Sequence, residues 1–191
     1  LRGVLEYLDP YVHLSWRYEN YSSPHIDTQM VGKYNFYNFL AALRIGMYFE
    51  IEPELLNQAI AAYLPTNKRS QVEKTTKNTV IVDCYNANPS SMASALHSFV
   101  EMQHSHKLLI LGDMLELGAE SQLEHQKILD FLRENQLQYF TVGPIFKGLS
   151  NAGFENTASL KAYIANHPVK DHLILLKGSR GIALEQVLEQ L

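Results

Sequence analysis

From Thr79 onward, short runs of apolar residues alternate with segments of helical period. The predicted strands are Thr79–Asp83, Lys107–Gly112, Gln138–Gly143 and His172–Lys177. Between and after them, helices are predicted near Ser90–Met102, Ser121–Asn135, Ala158–Asn166 and Gly181–Leu191. A strand that is apolar at nearly every position must be covered on both faces. Strands separated by helices must run parallel, because a crossover returns the chain to the same edge. The pattern therefore predicts an α/β, Rossmann-like domain with a mostly parallel sheet. It has no GxGxxG fingerprint, no repeats and no low-complexity tract.

The earlier residues read differently. "YVHLSWRYENY" alternates in part and can hold a strand, and Gly32 breaks another short one. Phe36, Phe39, Leu40, Leu43 and Met47 recur at helical spacing. A second helix starts at Pro53, with Leu55, Leu56, Ile60 and Tyr63 on one face, and Pro65 ends it. Nothing before Pro65 reads as a complete sheet domain, so 1–65 is expected to be a mainly helical tail of a preceding domain and 66–191 a second domain. The polar stretch "PTNKRSQVEKTTKN" is read as the junction, with a strand candidate at Ser70–Glu73.

Open parallel sheets bind ligands at the carboxyl ends of their strands. Those ends here read "VDCYNANPSS", "LGDMLELG" and "LKGSRG". Side by side they would gather Asp83, Asn86, Asn88, Asp113, Glu116, Lys177, Ser179 and Arg180. Carboxylates suit an ammonium or ribose hydroxyls, and Lys177 with Arg180 suits a carboxylate or phosphate. Taken singly, each residue also has a plainer reading. Asn-Pro after a strand is turn chemistry, Asp83 can cap, and Asn35 and Asn38 can be capping and surface residues. By default His125 is an ordinary exposed or core histidine, and Cys84 a small, half-buried one.

The net charge is −4, with 46% hydrophobic and 19% charged residues. No basic run suggests a nucleic-acid groove, and no stretch approaches the roughly 18 apolar residues that a membrane helix needs. One cysteine excludes an internal disulfide and any multi-cysteine metal centre, and no metal ligands are predicted. The chain opens at Leu1, which suggests a piece of a longer protein.

"VGKYNFYNFLAA", "YLPTNKRSQ", "VDCYNANPSSM", "LGDMLELG" followed by His125, and "LLKGSRG" occur in this order. From about Asp27 onward the sequence resembles the Mur ligases. Within that family it is most similar to the member that adds D-alanyl-D-alanine to UDP-N-acetylmuramoyl tripeptide. The resemblance implies ATP-dependent amide formation in bacterial cytoplasmic peptidoglycan precursor synthesis, through an acyl phosphate and with Mg2+. It further implies that 1–65 ends the central ATP-binding domain. A monomer with no nucleic-acid partner and no membrane insertion is expected. It places Asn35 and Asn38 beside the adenine, and Arg69 and Asp83 at the nucleotide ribose and phosphates. Asn86 and Asn88 fall in the loop facing the reacting centre. Asp113, Glu116, Lys177, Ser179 and Arg180 fall where the incoming amine is held. No G-x-x-x-x-G-K-[ST] is present, so this stretch alone is expected to be inactive. Two other readings stand beside it: a sister ligase acting on another amino acid or on folate, and a non-catalytic nucleotide- or dipeptide-binding module.

Overall fold

The computed structural model describes residues 1–66, 68–150 and 153–191. Asn67, within the quoted "NKRSQ" stretch, lies outside the described residues. The chain divides into two compact units, Leu1–Thr66 with Ser94–Gln103, and Asn67–Ala93 with His104–Leu191.

The first unit contains the two predicted helices, α1 (Lys33–Tyr48) and α2 (Pro53–Ala62). It also contains more strand than its sequence suggested. Strands β1 (Arg2–Leu8), β2 (Tyr11–Tyr18), β3 (Tyr21–Ser22) and β4 (Ile26–Val31) form an antiparallel sheet in which β2 pairs with each of the others. Alternation is real in β2: Val12, Leu14 and Trp16 are buried. It was hard to see because the opposite face carries Tyr11 and His13, which are large and half-buried rather than plainly polar. The buried face packs on Phe36, Phe39 and Leu43 of α1 and on Leu56 and Ile60 of α2. Trp16 Nε1 donates to Asn57 Oδ1 at 2.8 Å, so the buried indole N–H is satisfied.

In the second unit, β6 (Thr79–Asp83) and β7 (Lys107–Gly112) have the predicted bounds. Strands β8 (Gln138–Val142) and β9 (Leu173–Lys177) are each one residue shorter. The junction strand β5 (Gln71–Lys74) is antiparallel to β6 and forms one edge. The sheet order is β5-β6-β9-β7-β8, and every pair beyond β5 is parallel. Helices α4 (Ser121–Glu134) and α6 (Thr157–Asn166) lie near their expected positions, as does α3 (Pro89–Glu101), whose residues from Ser94 on belong to the first unit. The six-residue helix α5 (Pro144–Leu149) was not anticipated. The expected last helix is instead two 3-10 segments, Arg180–Ile182 and Leu184–Gln190. Spacing of three and four apolar residues over so short a stretch serves either kind of helix.

Alternate residues of the central strands enter one core: Val80 and Val82, Leu108 and Ile110, Ile174 and Leu176. Leu160 and Ile164 of α6 cover them, with Leu184 and Val187. The intervening Ile81, Leu109, Leu111 and Leu175 are buried as well, which accounts for the unbroken apolar runs. Among the described residues, no helix is long and apolar enough to cross a membrane.

Candidate functional site

Strand β9 lies between β6 and β7, so its carboxyl end adjoins both of theirs. The register pairs Asp83 with Lys177 directly. Lys177 is 2% exposed, and its Nζ donates to Asp83 Oδ2 at 2.6 Å and to the Asn86 carbonyl at 3.4 Å. Two of the three ammonium donors are thereby engaged. A buried ammonium without a carboxylate would be costly, so this pair belongs together. At the same level, the backbones of β7 and β9 come close. A Cβ on Gly178 would stand 2.9 Å from Gly112 Cα, which requires a glycine there.

Asp113 follows β7 and is fully buried. Its Oδ2 accepts from Ile145 N–H at 2.9 Å and its Oδ1 from Phe146 N–H at 3.0 Å, so it caps the first turn of α5. Gly143 makes room for it. With φ +123, a Cβ there would lie 2.4 Å from the Asp113 carboxyl carbon. Ser179 is buried too; its Oγ accepts from Leu115 N–H at 2.9 Å, and its N–H donates to Asp113 O at 3.2 Å. Asp113 and Ser179 thus hold the loop after β7 against the loop after β9. His125 completes this frame from α4. It is fully buried, its Nε2 accepts from Met114 N–H at 2.9 Å, and its Nδ1 lies 2.7 Å from Ser121 O. Those partners require the Nδ1–H tautomer. The sequence offered only its place after "LGDMLELG".

The loop so held presents Glu116 to solvent in the left-handed region, φ 70. Beside it lies a groove of about 500 Å³ lined by Leu115, Glu116, Pro144 and Ile145.

On the β6 side, Asn88 is a helix cap. Its Oδ1 accepts from Ser91 N–H at 2.8 Å, while Ser91 Oγ accepts from Asn88 N–H at 3.1 Å, a reciprocal arrangement that starts α3. Asn86 is exposed. The residue that sequence reasoning passed over is Tyr85. The residue is 41% exposed, the Arg69 guanidinium sits 3.7 Å from its ring centroid, and that of Arg180 sits 5.8 Å away. Neither arginine has a carboxylate partner among the described residues. Two such guanidiniums beside one aromatic ring suit anionic groups, phosphate or carboxylate. Cys84, behind this rim, is buried. Burial, reinforced by Glu185 and Asp83, pushes its thiol up to about 12, so it is no nucleophile.

Asn35 and Asn38 belong to the first unit. Asn35 is 2% exposed, and its Nδ2 donates to Val31 O at 2.7 Å. Its Oδ1 accepts from Asn38 Nδ2 at 2.9 Å. This pair ties the start of α1 to the end of β4.

Comparison with known proteins agrees with this architecture. Residues 68–189 match the family described as Mur ligase, glutamate ligase domain. The chain is 29% identical over 176 residues to the UDP-N-acetylmuramoyl-tripeptide–D-alanyl-D-alanine ligase of Bacillus subtilis, covering 85% of this chain and 38% of that protein. It is 28% identical over 187 residues to the enzyme of that name from Rickettsia prowazekii, covering 93% and 41%. The MurF crystal structure from Acinetobacter baumannii superposes with a TM-score of 0.80 at 25% identity, over 94% of this chain and 42% of that one. MurF from Thermotoga maritima in complex with ADP gives 0.80 at 18% identity, over 98% and 45%. The chain thus spans less than half the length of these relatives. On the match over residues 68–189, with the strand-end architecture it covers, the chain belongs to the Mur ligase family.

Proposed function

We propose that this chain is the last part of an ATP-dependent amide ligase that joins D-alanyl-D-alanine to UDP-N-acetylmuramoyl tripeptide. On this reading, 1–65 ends the central ATP-binding domain and 66–191 is the domain that brings the dipeptide. The observation that carries the reading is the strand-end site itself: a buried Asp83–Lys177 pair beneath an exposed Arg69–Tyr85–Arg180 rim. The names and lengths of the relatives support it.

ATP supplies the phosphoryl group that activates the tripeptide carboxylate. Arg69 and Tyr85 fit the phosphates and ribose, since the guanidinium is exposed and has no carboxylate partner among the described residues. Lys177 holds Asp83 by Oδ2, which leaves Oδ1 for a ribose hydroxyl. Asn35 and Asn38 are assigned to the adenine, with Asn38 the exposed member of the pair. Asn86, Glu116 and Arg180 are the exposed groups suited to the dipeptide: Glu116 for its ammonium and Arg180 for its carboxylate. Asn88, Asp113 and Ser179 set the backbone that carries these groups. Lys177 holds the Asn86 carbonyl in place. Mg2+ does not fit the carboxylates of this unit: the Lys177 ammonium bonded to Asp83 opposes a second cation there, and both oxygens of Asp113 accept from α5 amides.

The test is ATP-dependent phosphate release by the full-length protein with UDP-N-acetylmuramoyl tripeptide. Release is expected to require D-alanyl-D-alanine, and Arg69→Ala is expected to cost about 1.5–3 kcal/mol in kcat/KM for ATP, the worth of a charged hydrogen bond. Release driven by another amino acid would reassign the chain to a sister ligase. Absence of release would favour a binding module.

A further inference from the structure

On the outer face of the first unit's sheet, three strands bring together groups that the ligase reading does not use. The register sets Tyr7 of β1 opposite His13 of β2, and His13 opposite Asp27 of β4. His25 stands just before β4. The register of β1 shifts between Leu5 and Tyr7, and the extra residue, Glu6, is aimed at His25. His13 Nδ1 and His25 Nε2 converge on one oxygen, Asp27 Oδ1, at 2.6 and 2.7 Å. His25 uses its other nitrogen, Nδ1, to bond Glu6. The Tyr7 ring stacks on His13 with centroids 3.9 Å apart and planes within 16°.

We propose that His13 Nδ1, His25 Nε2 and the Asp27 carboxylate form a binding site for a divalent first-row metal ion of the Zn2+ class. The donor set is two imidazoles and one carboxylate, which suits borderline metals rather than Mg2+ or Ca2+. The three ligand atoms lie within 4.8 Å of one another. Tetrahedral Zn2+ with bonds of about 2.1 Å needs donors about 3.4 Å apart. Asp27 must therefore draw back by about 0.7 Å, and its side chain, 69% exposed, is free to do so.

The second carboxylate is what separates this cluster from an ordinary surface ion pair. A metal-bound histidine commonly gives its other N–H to a carboxylate, which fixes its tautomer and raises its basicity. Glu6 stands in that position toward His25. A neutral imidazole has one N–H. With that N–H directed to Glu6, the Nε2 lone pair faces Asp27 Oδ1 at 2.7 Å, an acceptor–acceptor contact that a cation relieves.

The experiment is equilibrium titration of the full chain with Zn2+, and with Co2+ followed by its visible absorption. One ion per chain and the intense spectrum of tetrahedral Co2+ are expected. Glu6→Gln should weaken Zn2+ binding about 10- to 100-fold, and His25→Ala and Asp27→Asn should weaken it further. His106→Ala is the control, because His106 and His172 neighbour each other in the second unit, with ring centroids 5.4 Å apart. Unchanged emission of Trp16, on the same strand as His13, verifies that the sheet is intact in each variant. Absence of binding, binding indifferent to Asp27→Asn and Glu6→Gln, or binding lost in His106→Ala would each overturn the proposal.

Discussion

Replacing Lys177 by methionine keeps the stem that packs in the sheet and removes the ammonium. It would leave Asp83 ionised at a place where its side chain is 11% exposed, and would cost the Asn86 carbonyl its donor. Breaking a buried ion pair from one side costs roughly 3–5 kcal/mol. Asp83 sits at the end of its strand, where water reaches part of the carboxylate, so the lower figure, about 3 kcal/mol, applies. The same reasoning gives about 3 kcal/mol for Asp83→Asn, which strands the ammonium. In the double variant neither charge remains. Its cost should fall short of the sum by about 0.5–3 kcal/mol, the range for residues in direct contact. The chain carries one tryptophan and one cysteine, one in each unit, which makes the assay selective. Urea unfolding followed by pulsed thiol labelling of Cys84 reports the second unit, and Trp16 fluorescence reports the first. The Cys84 midpoint should fall in both single variants while the Trp16 midpoint holds. Additive costs would refute the claim that the two charges are held for each other.

Other expectations follow from the same packing. Gly143→Ala should destabilise the second unit by more than about 1 kcal/mol, because φ is +123 and the new methyl meets Asp113. Gly148→Ala, where a Cβ meets nothing within 4 Å, should be neutral or stabilise by about 0.5–1 kcal/mol; equal effects in calorimetry would contradict the reading. His125→Ala removes the acceptor for Met114 N–H and should cost at least about 1–3 kcal/mol, with faster hydrogen exchange at Met114. Cys84, with its thiol raised to about 12, should resist alkylation at pH 8 in the folded chain and react once urea unfolds it; rapid labelling of the native form would count against its burial.

The second unit was the more legible half. Its central strands are apolar at nearly every position because both faces are covered, and such runs have sharp ends at Asp83 and Gly112. The converging loops followed from topology alone. Which member of a loop faces outward did not, since that depends on backbone turns. Asp113 and Ser179 turned inward to bond N–H groups, and Tyr85 turned outward beside two arginines. Helix α5 escaped notice because six residues carry too few apolar positions to show a period. In the first unit, the tyrosines and histidines of β1 and β2 blurred the alternation that marks a strand. They did so because they pack on one another across the outer face.

The position of β9 bears on how the protein is made. The last of the described strands is the middle strand of its sheet. Until Leu173–Lys177 emerges from the ribosome, β6 and β7 have no partner between them, and their facing edges are open. A nascent chain ending anywhere before Leu173 lacks the centre of its sheet and the lysine of its site. The second unit is therefore built to assemble in one late event, with chaperone demand and aggregation hazard concentrated in the interval before that strand arrives.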